Sequence, residues 1–304
     1  MASQLEEKMI VDPRKWIFDR EELEKAPELK DLYWVERKFV NFGFRAHPEI
    51  KMSMCAGSLC QMHGETTNIW SHLLGMIYFI MLFVLMLFSP TGEEDPLNPF
   101  KQYTTETSAM LSRVGCVSVI LCMGMSAFYH TFNPMSKTWN EQLLRLDLMC
   151  VGIMILTLTN CLAYVAYHQF PEFRYFFCIG LIVVQVLLLV VNLIPTFTQP
   201  QYENHRRVLY ALLVGLIAGI AICWLFKATG EEIKMFIGWV LLSFLWLGLG
   251  MGFYAGKFPE RAFPQSRMIA YWFSSHTWWH FAAILCANQM LWLTWRYSIY
   301  VENL

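Results

Sequence analysis

The chain has 304 residues, a formal net charge of -1, 56% hydrophobic residues and only 15% charged ones. An average globular protein carries about 45–50% apolar and about 25% charged residues, so this composition excludes an ordinary soluble fold and makes lipid the expected solvent for much of the chain. The same numbers exclude extensive disorder, and the near-zero charge gives no reason to expect a nucleic-acid partner.

In chain order, residues 1–66 hold 10 of the 23 Lys/Arg and 12 of the 24 Asp/Glu, which predicts a water-facing N-terminal segment. Its start, MASQLEEKMIVDPRKW, has no apolar run of the kind a signal peptide needs. From Asp19 to Phe39, mixed charges alternate with Leu and aromatic residues at three to four. That spacing predicts one or two short amphipathic helices, interrupted near Pro27.

Beyond residue 67 apolar runs near the ~20 residues that cross a bilayer recur. They are Ile69–Phe88, Met110–Phe132, Leu146–Val165, Tyr175–Leu193, Val208–Phe226, Met235–Tyr254 and Met268–Leu293. Pro90, Pro134, Pro171, Pro195, Pro259 and Pro264 fall in the breaks, where a helix can stop. Backbone polar groups in lipid must be satisfied internally, so the runs are predicted helices. The expected architecture is an all-α bundle of seven transmembrane helices over residues 67–295, with a short tail at 296–304.

Placing the N-terminus in the cytoplasm puts 17 Lys/Arg on the inner side and 6 on the outer, which predicts an inward N-terminus and an outward C-terminus. Without the first 50 residues the ratio is 8 to 6. The acidic loop Ser89–Ser108 then faces outward, where it reads as a solvated linker more readily than as a recognition surface. The nine cysteines are scattered, most of them inside apolar runs, and read as reduced, buried hydrophobes.

Ionisable groups in such runs are costly and default to functional candidates. His130 lies near the end of the second run, Asp147 opens the third, and His276 and His280 lie early in the seventh. Alternating helix direction puts all four in one layer, whichever side is cytoplasmic. His276 and His280 are i and i+4 on one helix face, a spacing at which two imidazoles can hold one metal ion. His130 would supply a third ligand, and three His with an open position is the pattern of a catalytic zinc. Asp147 could orient a ligand or a bound water, and Ser126, one turn before His130, could point at the same place. The bland alternatives stay open: a His pair bonded to backbone carbonyls, and Asp147 paired with Arg145 or His130. His72 reads as a hydrogen-bonded packing residue. His47, His63, His168 and His205 read as solvated.

HGETTNIWSHLLG (His63–Gly75) resembles the Glu-x-x-x-Asn-x-Trp-Thr/Ser-His signature of the progestin and adipoQ receptor family, which includes the adiponectin receptors and hemolysin III-related proteins. SAFYHTF (Ser126–Phe132) resembles its Ser-x-x-x-His motif, and RLDL its helix-3 Asp. KFPERAFP (Lys257–Pro264) followed by SSHTWWHF resembles its Pro-Glu-Arg-x-x-Pro and Ser-His-x-x-x-His motifs. The chain departs from the pattern in Thr277, where the family has Gln, and in a longer stretch before Ser275 that lacks the usual Gly and Asp. The resemblance implies a seven-helix receptor with an inward N-terminus and a Zn2+ held by His130, His276 and His280, with Asp147 and Ser126 beside it. It implies a ceramidase-like lipid amide hydrolase, and a lipid or steroid-like ligand such as ceramide or a fatty acid. An extracellular protein ligand and a plasma-membrane or Golgi location are also within what the family implies. Two other readings follow from the family as well: a binding receptor with structural zinc, and a scaffold tethering partners through residues 1–66.

Overall fold

The computed structural model describes residues 15–26, 39–47, 49–88 and 106–304. Two short strands, β1 (Ile17–Phe18) and β2 (Phe44–Arg45), pair antiparallel, Ile17 opposite Arg45 and Phe18 opposite Phe44. Between them lies α1 (Arg20–Glu24), whose first turn is closed by Glu22 accepting from the Asp19 N–H at 2.8 Å. This is the first part of the expected amphipathic stretch; its continuation from residue 27 to 38 lies outside the described residues, as does most of the acidic loop. Phe18, Leu23, Ala26, Val40, Phe44 and Ala46 close a small core that includes Ala270 from far down the chain. The described residues of the N-terminal segment are thus docked on the bundle.

After α2 (Met52–Gly57) come the long helices α3 (Thr66–Leu87), α4 (Glu106–Phe132), α5 (Lys137–Ala166), α6 (Pro171–Leu193), α7 (Glu203–Leu225) and α8 (Gly230–Gly256). All six are long and apolar enough to cross a membrane, and the protein is an integral multi-pass membrane protein. Several begin earlier than hydropathy predicts. α5 starts nine residues before Leu146 because Lys137, Asn140, Glu141 and Gln142 form a polar first turn and a half that continues the helix beyond the apolar zone. Ser136 accepts from the Trp139 N–H and caps it.

The seventh run differs from expectation. It is broken into α9 (Arg267–Trp272) and α10 (Ser275–Glu302). Ser274 is the N-cap of α10, accepting from the Thr277 N–H. Buried Glu260 accepts from the Ser275 N–H at 2.7 Å and from the Ser275 hydroxyl, satisfying donors that a continuous helix would have consumed internally. At its other end α10 runs through to Glu302, so residues 296–302 prolong the helix instead of forming the expected tail. α10 packs on α3, α4, α5 and α8, and its polar Ser275, Thr277, His280, Gln289, Thr294 and Ser298 are buried in protein. A helix that faces neighbours on most sides needs less apolar surface than one facing lipid, which is why α10 falls short of the hydropathy of a membrane span.

Two cores hold the bundle. Phe79, Met86, Val119, Met123, Leu158 and Leu291 join α3, α4, α5 and α10. Leu156, Leu181, Leu213, Phe236, Leu293 and Tyr297 join α5 to α8 and α10. The α8–α10 crossing is set by Gly250: a Cβ there would lie 2.6 Å from the Ala282 Cβ and 3.1 Å from the Trp279 ring.

Candidate metal centre

The last turn of α4 supplies His130, and the first two turns of α10 supply His276 and His280. Their ligand atoms all lie within 4.8 Å of one another. The Nε2 atoms of His130 and His276 are 3.2 Å apart, close to the about 3.3 Å that separates two nitrogens on a tetrahedral ion with Zn–N of about 2.0–2.1 Å. His130 and His280 are buried and His276 is partly exposed.

The second nitrogen of each buried ring has an assigned task. His130 Nδ1 is 2.8 Å from Glu65 Oε2, a carboxylate that can only accept, so Nδ1 carries the proton and Nε2 keeps its lone pair for the cluster. His280 Nδ1 lies 3.2 Å from the Asn68 carbonyl oxygen and 3.2 Å from Ser71 Oγ; donation to the carbonyl again leaves Nε2 free to ligate. Asn68 links the two sides. Its amide donates to Glu65 Oε2 at 2.9 Å, and its Oδ1 accepts from the Thr277 hydroxyl at 2.8 Å. Thr277, the departure from the family pattern, thus keeps a hydrogen bond to the orienting segment. Glu65, Asn68 and Ser71 were present in the sequence only as letters of a signature. Their roles depend on partners 65 and 209 residues away, which spacing cannot supply.

Asp147 on α5 and Ser126 on α4 are both buried. Ser126 and His130 are among the polar neighbours of the Asp147 carboxylate, whose Oδ1 has no hydrogen-bond partner among the described residues. Asp147 forms no ion pair with Arg145 among the described residues. His72 is buried, but it is not hydrogen-bonded as expected: both nitrogens lack a partner among the described residues, and its ring stacks on His280 at 3.6 Å and 9°. His63 corrects the expectation of a solvated side chain. It is buried, with Nε2 3.2 Å from the Ser58 carbonyl oxygen and Nδ1 accepting from the Glu65 N–H at 3.1 Å, so it braces the turn that presents Glu65. His205 is exposed. The nine cysteines are free, and Cys60 alone is exposed.

All five candidate residues line one cavity of about 820 Å³. From the His cluster it runs between α5, α7 and α8 along an apolar wall that includes Val151, Leu158, Ile217, Phe244 and Met251, towards Trp224 and Tyr297. At the His end its rim carries Lys137, Arg206, Arg207, Lys257 and Arg261 against Glu141, Glu203 and Glu260. At the far end Tyr297 donates to buried Glu232 at 2.6 Å and accepts from Trp224 at 3.0 Å. The donor set, the fixed ring orientations and the unpartnered carboxylate oxygen fit a divalent ion of the zinc type.

The haemolysin-III related family matches residues 60–291. The chain is 28% identical over 265 residues to "Progestin and adipoQ receptor-like protein 1" of Caenorhabditis elegans, a match covering 84% of this chain and 56% of the relative. It is 25% identical to "Heptahelical transmembrane protein 1" of Arabidopsis thaliana, over 91% of this chain and 83% of that one. It is 28% identical to human "Progestin and adipoQ receptor family member 3", over 82% and 78%. The chain thus spans little more than half of the worm relative's length.

Proposed function

The chain belongs to the haemolysin-III related family, and from that premise we propose that it is a receptor-like membrane hydrolase that cleaves a lipid amide at a zinc ion held by His130, His276 and His280. The observation that carries this reading is the junction of two features in one place: the three-His cluster with Asp147 beside it, and an apolar cavity of about 820 Å³ leading away from them. A bound zinc supplies Lewis acidity and brings the pKa of water to about 7. The chain's own groups do the rest. Glu65 and the Asn68 carbonyl keep His130 and His280 in the ligating tautomer. The Asp147 Oδ1, free of protein donors among the described residues, takes the proton of the attacking water, then returns it to the leaving amine. Ser126 lines the cavity beside Asp147 and offers its hydroxyl to the same polar pocket. The apolar wall takes the acyl chain, excludes bulk water and sets the amide carbonyl against the cluster.

In the proposed orientation the N-terminus and the His end of the cavity face the cytoplasm, in keeping with the Lys/Arg distribution, and the membrane is the plasma membrane or an endomembrane. The test is release of fatty acid from ceramide-like amides by purified protein, with and without chelator, alongside elemental analysis. Chelator-sensitive release is expected. Stoichiometric zinc with no release across several amide lipids would refute the hydrolase and leave a binding receptor.

A further inference from the structure

The residue that fixes His130 from behind is not on any of the long helices. We infer that Arg45, in the N-terminal segment, is a positioning residue for the metal centre, acting through the backbone of His130; the inference rests on the proposed role of His130 as a ligand.

Arg45 lies on β2, where pairing with Ile17 and the Ala46 N–H bond to the Trp16 carbonyl at 2.9 Å hold its backbone. Its side chain is 7% exposed and enters the bundle beneath α4. One guanidinium nitrogen, Nη2, donates to the His130 carbonyl oxygen at 2.6 Å and to Asn133 Oδ1 at 2.9 Å. The other, Nη1, donates to the Thr131 carbonyl oxygen at 3.0 Å and to Ser58 Oγ at 3.0 Å.

The chemistry explains the choice of residue. α4 ends at Phe132, so the carbonyls of its last turn have no intrahelical donor. Asn133 N–H serves the Tyr129 carbonyl; Arg45 serves the next two. A cation at a helix C-terminus also complements the dipole. His130 sits in the turn that frays first, and a ligand in a fraying turn cannot hold its nitrogen within reach of His276 and His280. The planar fork reaches four acceptors on two segments at once, the end of α4 and Ser58, which an ammonium with three donors on a flexible stem cannot do. Together with Glu65 on the ring, Arg45 makes the segment before α3 grip His130 at both its backbone and its side chain.

The test uses full-length protein and the variants Arg45→Ala and Arg45→Lys, each read in two ways. Hydrogen exchange on metal-stripped protein should show the amides of His130 to Asn133 exchanging about tenfold faster in Arg45→Ala, with the middle of α4 and α10 unchanged. Cobalt or zinc titration should show affinity about 10–100-fold weaker, with altered visible bands for cobalt and partial recovery in Arg45→Lys. If Arg45→Ala fails to fold, Arg45→Lys carries the comparison, and it should show the same two changes at smaller size. Unchanged exchange at the end of α4 would overturn the inference, as would faster exchange with unaltered affinity, or full recovery by Arg45→Lys. If wild type takes up no metal, the zinc reading falls, and the exchange measurement alone decides whether Arg45 holds the turn.

Discussion

Glu65→Gln is the sharpest test of how the centre is oriented. Glu65 Oε2 receives both His130 Nδ1 at 2.8 Å and Asn68 Nδ2 at 2.9 Å. Glutamine keeps the shape and can place its amide oxygen where Oε2 stands, so neither donor is orphaned; what is lost is the charge. Hydrogen bonds to charged groups contribute about 1.5–3 kcal/mol and neutral ones about 0.5–1.5, so the His130 bond gives up about 1–1.5 kcal/mol. A loss of that size lowers zinc affinity about 5–15-fold if it falls wholly on the ligand's basicity and orientation. Glu65→Ala leaves two buried donors unpaired at about 1–3 kcal/mol each, and part of that loss appears as unfolding. The assay is competition for zinc against a chromophoric chelator in detergent micelles. Affinity in Glu65→Gln within twofold of wild type, with binding abolished in His130→Ala, would refute the orienting role.

Four further outcomes are expected. His130→Ala, His276→Ala and His280→Ala each lower bound zinc, because three ligands leave no redundancy, whereas His72→Ala retains it; stoichiometric zinc in all three by elemental analysis would end the three-His assignment. Asp147→Asn lowers turnover about 10–100-fold and metal content far less, read as fatty-acid release per bound zinc; equal turnover removes the proposed proton transfer. A tag at residue 2 is protected from external protease in intact cells and a tag after Leu304 is cleaved; the reverse pattern inverts the orientation. Gly250→Ala lowers stability by about 1–3 kcal/mol, since its new methyl meets the Ala282 Cβ at 2.6 Å; an unchanged melting temperature would show that α8 and α10 separate freely.

The membrane-spanning helices were legible because lipid imposes one simple rule on six of them, a long apolar run. The rule failed at Phe273 and Ser274, where a break inside an apolar stretch is enforced by Glu260, which binds Ser275 from fifteen residues earlier in the chain. Nothing local in SSHTWWH announces it except Ser274 as an N-cap. His130, Asp147, His276 and His280 were legible because charge is costly in lipid. Glu65, Asn68 and Arg45 were not, because they lie in or beside the polar N-terminal segment, where a charged residue is the default. Their burial is created by docking that segment on α9 through Ala270 and on the end of α4 through Arg45. The pattern of His63 misled for the same reason: it sits in a polar stretch that the fold covers.

The cavity has a consequence for how any ligand series should be read. Its long wall is shared by α7, the span that packs least on its neighbours, whose other face offers Val208, Leu212, Leu216 and Ile222 to the bilayer. An amphiphile that slips past α7 arrives from the surrounding leaflet, so the driving variable is its mole fraction among lipids and not its molarity in buffer. Each added methylene favours the leaflet by about 0.8 kcal/mol. Two more carbons therefore raise membrane loading roughly 15-fold at fixed total concentration in the dilute limit. A preference for longer chains of that size, plotted against aqueous concentration, would be solvent partitioning alone, and selectivity by the cavity begins only where the gain per carbon departs from it.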